Sequence, residues 1–222
     1  MRVDIWSDVV CPWCYIGKAR FEKALRGFGH RDEVDVVFRS FELDPSADSA
    51  GQGDAGDRET NLEMISKKFG LPMAQARQME ERVAGLARAE GLPYQAERPN
   101  GNTFDLHRVL QLGRQKGVQG TLIDAIYRAN FAEARQIFSP EVITEVAAEA
   151  GLEAGDVSEV LDTDEYADAV RADEREAGRL NVSGVPFFVF DMALGVSGAQ
   201  SAEVFEQALS QAWDQGAGKT AS

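Results

Sequence analysis

The sequence predicts an α/β fold in which a β-α-β unit and a later β-β-α unit are separated by a large all-helical insertion. Three observations predict it. Runs of β-branched and aromatic residues lie near the two ends of the chain. The stretch between residues 58 and 178 instead repeats apolar residues at three- and four-residue spacing, as helices do. Glycine, proline and capping residues divide that stretch into separate helices.

The first predicted unit begins with a short strand, because Val3 and Ile5 alternate with polar neighbours. A helix is predicted over residues 13–28, where glycines suit its C-terminal end. Residues 34–41 form a β-branched and aromatic run that predicts a second strand. Because β-α-β crossovers are right-handed, the two strands are expected to be parallel.

The remaining elements define the predicted domains. Residues 46–57 are rich in Ser, Gly, Ala and Asp, which predicts a flexible surface loop. Residues 186–190 and 193–196 predict two strands joined by a tight hairpin at Asp191-Met192, and residues 201–213 predict a final helix. The sequence therefore predicts one discontinuous domain, residues 1–45 and 179–222, interrupted by a helical domain of residues 58–178.

The chain is strongly acidic: 37 Asp and Glu residues against 23 Lys and Arg residues give a formal net charge of −14. This charge argues against nucleic acid or an anionic membrane as a partner, because both repel an acidic surface. No stretch approaches the roughly 18 apolar residues of a membrane span, and residues 1–10 show no secretory signal. The sequence thus predicts a cytoplasmic location, where a lone cysteine pair is more often catalytic or redox-sensing than structural.

Cys11-Pro12-Trp13-Cys14 contains the only two cysteines and lies between the first predicted strand and the first predicted helix. Because the N-terminus of a helix stabilises an anion, Cys11 is expected to be the attacking thiolate. Cys14, one turn further on, is expected to resolve the mixed disulfide. Pro12 fixes the backbone and Trp13 offers an apolar surface. Neither adds a positive charge, which predicts a moderate rather than an extreme oxidant.

Two other interpretations of the cysteine pair stay open from the residues alone. A Cys-x-x-Cys pair can be half of a zinc site, but the remaining ligands would be carboxylates or His30 and His107, which lack a paired spacing. The second alternative is a pair of inert buried cysteines. The strand-to-helix context favours redox chemistry, so no metal site is predicted.

Four motifs extend this pattern over nearly the whole chain. They are SDVVCPWCYIG at 7–17, NTFDLHR at 102–108, GVPFFV at 184–189 and VSGAQ at 196–200. In this order they resemble the FrnE-like branch of the DsbA-family thiol–disulfide oxidoreductases. The resemblance implies a thioredoxin-like fold with a helical insertion, and a cytoplasmic disulfide oxidoreductase or isomerase. It implies no organic cofactor beyond the redox-active Cys11–Cys14 pair. Its implied partners are protein or small-molecule thiols and disulfides, with glutathione as a candidate substrate.

The resemblance also gives Pro186 a role. In thioredoxin folds a cis-proline precedes the returning strand and lies beside the dithiol, and the free energy that a cis peptide bond costs is small only before proline. Val185 would then offer its backbone N–H and C=O groups to a substrate chain. The alternative is an edge-strand proline without a role.

Asn102 and His107 are weaker candidates. From the residues alone, Asn102 or Thr103 is a helix cap and His107 a packed or surface helix residue. The resemblance implies that the helical insertion forms a lid over the dithiol, where both could contribute contacts. Asp8 is interpreted as a solvated loop acid, although it could modulate Cys11. Trp6 and Phe187 are expected in the core.

Two further function classes compete with the oxidoreductase. One is a glutathione-dependent isomerase or transferase of the kappa-like type, which resembles the same fold but usually has Ser where Cys11 stands. The other is a redox-linked holdase that binds unfolded chains. The intact cysteine pair favours the oxidoreductase. The sequence does not specify the direction of electron flow or the oligomeric state.

Overall fold

The structure of the protein is a computed structural model that describes residues 1–47 and 59–220. The predicted α/β class and the order β-α-β, helical insertion, β-β-α are confirmed. The predicted flexible loop at residues 46–57 lies outside the described residues, apart from its first two positions. None of the helices in the described residues combines the length and the apolar character that a membrane span requires.

The helices and strands have the following bounds in chain order: β1 (Arg2–Ser7), α1 (Pro12–Gly27), β2 (Asp35–Ser40), α2 (Asn61–Phe69), α3 (Met73–Ala89), α4 (Phe104–Gln115), α5 (Gln119–Tyr127), α6 (Pro140–Glu149), α7 (Ala154–Asp162), α8 (Ala167–Arg179), β3 (Phe187–Phe190), β4 (Leu194–Ser197) and α9 (Ala202–Thr220). The chain divides into two units, Met1–Leu43 with Arg171–Ser222, and Asp44–Val170.

The first unit contains a sheet with the strand order β2-β1-β3-β4. β1 and β2 are parallel as predicted, whereas β3 pairs antiparallel with both β1 and β4. Aromatic side chains fix α1 and α9 to one face of this sheet. The ring of Phe21 in α1 lies 5.5 Å from that of Phe188 in β3 and 5.7 Å from that of Phe205 in α9.

The C-terminal part of α8 covers the other face of the sheet. Trp6 and Val189 pack there against Ala177 and Val182, and Trp6 Nε1 donates a hydrogen bond to the carbonyl oxygen of Asp173 (2.9 Å). The division predicted from the sequence placed the domain boundary after residue 178, near the end of α8, while in the structure the first unit resumes at Arg171. These contacts with β1 are the physical reason for the difference.

A buried ion pair organises part of the second unit. Glu80 in α3 and Arg98, in the segment before α4, lie 2.8 Å apart (Oε1 to Nη1), and their side chains are 4% and 3% exposed. The Tyr94 hydroxyl donates to the same carboxylate. The Arg98 guanidinium also lies 4.7 Å from the Tyr94 ring centroid and 4.8 Å from that of Phe131. The charge of Arg98 is therefore balanced by one carboxylate inside an aromatic pocket.

Local departures from the predicted elements are small. The β3–β4 hairpin uses Asp191, Met192 and Ala193 rather than two residues, because β4 starts at Leu194 and Ala193 N donates to Phe190 O (2.9 Å). The helix predicted near residues 122–131 ends as α5 and continues into a π-helical turn, Arg128–Ala132.

Candidate functional site: the Cys11–Cys14 pair

The cysteine pair lies at the junction between β1 and α1. Cys11 is the N-cap residue of α1, with an extended backbone, and Pro12 occupies the first helical position, where its fixed φ angle suits a helix start. The Cys11 carbonyl accepts hydrogen bonds from Cys14 N (3.0 Å) and Tyr15 N (3.3 Å). The first turn of α1 contains no acidic side chain. The helix therefore presents its positive N-terminal end beside the Cys11 side chain.

The two thiols differ in their surroundings. Both are buried, and neither forms a disulfide in this structure. The Cys11 thiol donates to the Val185 carbonyl oxygen, with Sγ and O 3.6 Å apart. Burial raises the pKa of Cys14 well above its ordinary value of 9.0, and Cys11 raises it further through a hydrogen bond and its charge. Cys14 therefore keeps its proton. Cys11 is the thiol that contacts the backbone of Val185, on the opposite wall of the site.

Val185 and Pro186 form that wall, and the peptide bond between them is cis, as the resemblance implied. They precede β3, whose first residue Phe187 pairs with Trp6 in β1. Because β1 ends just before the cysteine loop, this pairing carries Val185 to Cys11. The Gly198 amide donates to the Pro186 carbonyl oxygen (2.8 Å) and holds the loop from its other side.

The remaining predicted residues fall in different places. Trp13 is 42% exposed and forms an apolar surface next to Cys11 in the chain. Trp6 is buried, and Phe187 is partly buried against the Trp6 cluster, as expected. Asn102 and His107 belong to the second unit. There Asn102, which precedes the N-cap residue Thr103, accepts a hydrogen bond at Oδ1 from Phe104 N (2.9 Å), and His107 is buried within α4.

Asp8 is a further functional candidate next to the cysteine pair. The interpretation as a solvated loop acid is wrong, because Asp8 is fully buried and its Oδ2 atom accepts a hydrogen bond from Leu43 N (2.7 Å). Asp8 also acts on Cys14 in two ways: its backbone N–H lowers the pKa of that thiol, and its negative charge raises it. The apolar neighbours Val9 and Val10 were the only sequence signal of a buried position.

Replacing Asp8 with asparagine is expected to lower the pKa of Cys14. The amide oxygen can still accept from Leu43 N, while the negative charge that disfavours the Cys14 thiolate is gone. The measurement is the far-ultraviolet thiolate absorbance against pH in a Cys11→Ser background, where Cys14 is the only thiol. Asp32→Asn is the control, because that side chain is 91% exposed. An unchanged titration midpoint in Asp8→Asn would contradict the role assigned to its charge.

No group of three or more His, Cys, Asp or Glu side chains among residues 1–47 and 59–220 is arranged so that it could hold a metal ion. Among the described residues, this site brings together two thiols, a buried carboxylate and the backbone of Val185 and Pro186.

Comparison with known proteins agrees with this geometry. The family model described as a DSBA-like thioredoxin domain matches residues 2–210. A crystal structure of a probable DsbA oxidoreductase from Streptomyces coelicolor is 53% identical, with a TM-score of 0.88 over 96% of this chain and 90% of that chain.

Two more distant relatives extend the comparison. The uncharacterised protein YwbO of Bacillus subtilis is 26% identical over 217 residues, which cover 95% of this chain and 96% of that protein. A structure of the cytosolic disulfide reductase DsbM from Pseudomonas aeruginosa with GSH has a TM-score of 0.64 and 17% identity, over 95% of this chain and 98% of that chain. At that identity the likeness shows the shared fold.

Proposed function

Because this chain belongs to the family of DsbA-like thioredoxin domains, we propose that it is a thiol–disulfide oxidoreductase of the FrnE-like branch, with Cys11 as nucleophile and Cys14 as resolving thiol. The asymmetry of the two thiols carries the proposal. Cys11 lies at the N-terminus of α1 and contacts Val185, whereas burial and the neighbouring Cys11 keep the proton on Cys14.

The reaction is two successive thiol–disulfide exchanges. The Cys11 thiolate attacks one sulfur of a substrate disulfide, the S–S bond breaks, and the other substrate sulfur leaves as a thiolate that takes a proton from water. Cys14 then loses its proton and attacks the Cys11 sulfur, which releases the second substrate thiol. The substrate gains two electrons and the protein becomes the Cys11–Cys14 disulfide. An external thiol or dithiol reduces it again, and the reverse sequence oxidises a substrate dithiol.

The surrounding residues have supporting roles in this proposal. Pro12 holds the start of α1, and the exposed Trp13 provides an apolar contact for the substrate. Val185 and Pro186 provide backbone groups against which an extended substrate can pair beside the sulfur. The proposed substrates are protein or small-molecule thiols and disulfides. We place the protein in the cytoplasm, and the description of its structural neighbour DsbM as cytosolic supports this.

The test is turnover together with capture of the intermediate. The wild-type protein is expected to accelerate the reduction of insulin by dithiothreitol. Cys14→Ser should accumulate a mixed disulfide between Cys11 and the substrate, which mass spectrometry detects under non-reducing conditions, whereas Cys11→Ser should form none. A wild-type protein that leaves the rate of insulin reduction unchanged, or a mixed disulfide that forms on Cys14, would contradict the assignment.

The competing function is glutathione-dependent isomerisation or transfer, and the neighbour solved with GSH is the observation that keeps it in the comparison. Calorimetric titration with glutathione distinguishes the two. Tight binding of glutathione that survives Cys14→Ser, in a protein without disulfide turnover, would favour the isomerase over the oxidoreductase.

A further inference from the structure

Gly17 lies in the middle of α1, one turn beyond Cys14, and it is buried. Glycine is a poorer helix former than alanine, so an interior glycine needs a reason. An added Cβ atom at this position would lie 2.9 Å from Pro186 Cγ and 3.4 Å from both Cα and Cβ of Ala199. The missing side chain therefore lets α1 approach the Pro186 loop and the turn after β4 more closely than alanine would.

Neither neighbour of Gly17 can easily move aside. Pro186 Cγ is part of a rigid ring, and Ala199 Cα is backbone. The Ala199 carbonyl oxygen accepts a hydrogen bond from Arg20 Nη1 (2.7 Å), one turn further along α1. Gly198, with a φ angle of +81°, donates its N–H to the Pro186 carbonyl oxygen (2.8 Å). The turn and the Pro186 loop are thus fixed to each other and to α1.

The same helix and the same loop also meet at the reactive thiol. Val185 directly precedes Pro186, and its carbonyl oxygen lies 3.6 Å from Cys11 Sγ. α1 therefore contacts this loop at two levels, at Cys11 and at Gly17. If Pro186 is displaced where it contacts Gly17, the backbone of the adjacent Val185 moves relative to Cys11 Sγ.

We propose that Gly17 is a positioning residue that sets the separation between Cys11 Sγ and the Val185 backbone, and that this separation adapts the site to disulfides in extended polypeptide chains. The inference rests on the proposed function, since it assumes that Cys11 attacks a disulfide. A polypeptide substrate must pair with backbone and present its sulfur at the same time. A small disulfide needs only to reach the sulfur, so Gly17 affects the two substrate classes unequally.

The experiment compares Gly17→Ala with Gly27→Ala. Gly27 is in the same helix, but an added Cβ there meets nothing within 4 Å. Steady-state rates are measured with insulin and with hydroxyethyl disulfide, with dithiothreitol as the reductant in both assays and the uncatalysed rate subtracted. In Gly17→Ala, kcat/KM for insulin is expected to fall about tenfold, mainly through a higher KM, because misplacement by a fraction of an ångström is costly in an aligned site. The rate with hydroxyethyl disulfide should change by less than about twofold, and Gly27→Ala should resemble the wild type with both substrates.

A second variant covers a failure of Gly17→Ala to fold. Arg20→Met removes the hydrogen bond to the Ala199 carbonyl oxygen without adding an atom between Gly17 and its neighbours. It should lower kcat/KM for insulin selectively, as Gly17→Ala does, but by a smaller factor. An equal loss on both substrates, or no loss on insulin in either variant, would overturn the inference while the wild-type turnover upholds the proposed function. A wild-type protein that reduces neither disulfide would overturn the proposed function, and the inference with it.

Discussion

Replacing Glu80 with alanine is expected to lower the free energy of unfolding by about 3–5 kcal/mol. Glu80 is the carboxylate that pairs with Arg98, whose side chain is 3% exposed. Without it, Arg98 keeps its charge in a place that water does not reach, and the Tyr94 hydroxyl loses the acceptor of its hydrogen bond. An unpaired buried charge is costly in free energy, and the aromatic rings over Arg98 cannot replace a carboxylate.

Urea denaturation followed by far-ultraviolet circular dichroism measures this change. The matched control is Glu81→Ala, the next residue of α3. That side chain is 50% exposed, and its partner Arg88 is 3.6 Å away, so the expected loss is about 0–1 kcal/mol. Equal losses of unfolding free energy in the two variants would show that the buried Glu80–Arg98 pair stabilises the protein no more than the exposed pair does.

The reduced protein is expected to lose stability as the pH rises above about 9, by up to about 1.4 kcal/mol per pH unit for the proton on Cys14. Folding raises the pKa of Cys14 above its ordinary value of 9.0, mainly through burial. Above that pH the unfolded chain releases this proton and the folded chain retains it. The unfolded state then binds fewer protons, so the free energy of unfolding falls with rising pH. Below pH 9 this contribution to stability is fully present.

Cys14→Ser isolates this effect, because it removes the Cys14 thiol and leaves the other titrating groups, including Cys11, in place. Both proteins are denatured with urea, under reducing conditions, at a series of pH values on either side of 9. The wild type should show the steeper decline. The pKa of Tyr94 is also raised by burial, but that side chain contributes the same slope to both proteins. Parallel declines in the two proteins would contradict the retained proton on Cys14.

The parts of this protein that were predicted correctly depend on neighbours in the chain. The alternation around Val3 and Ile5 and the helical spacing after Cys14 are local patterns, and local patterns determine strands and helices. The position of the cysteine pair between a strand and a helix is local in the same way, within about twenty residues, while its redox role stays a prediction. The resemblance implied the cis peptide bond before Pro186, which local pattern alone left open, and the role of Pro186 in the site stays a prediction.

The features that were missed depend on contacts between distant residues. Asp8 is buried because Leu43, 35 positions later, donates its backbone N–H to the carboxylate. The part of α8 from Arg171 onward belongs to the sheet unit, where Asp173 also pairs with Arg39, 134 positions away. The close approach at Gly17 involves Pro186 and Ala199, which are far from it in the sequence. No periodicity in the chain reports such pairs, so only the folded structure revealed them.

The distance along the chain between Cys11 and Val185, 174 positions, has a consequence for synthesis on the ribosome. At common translation rates, Val185 is made roughly 9–35 s after Cys11. During that interval β1 has no β3 to pair with, and the wall that faces the sulfur does not exist. In the nascent chain the two thiols are therefore not yet buried as they are in the folded protein, and cellular oxidants can reach them. The contact between Cys11 and Val185 can form only after Val185 itself has emerged from the ribosome.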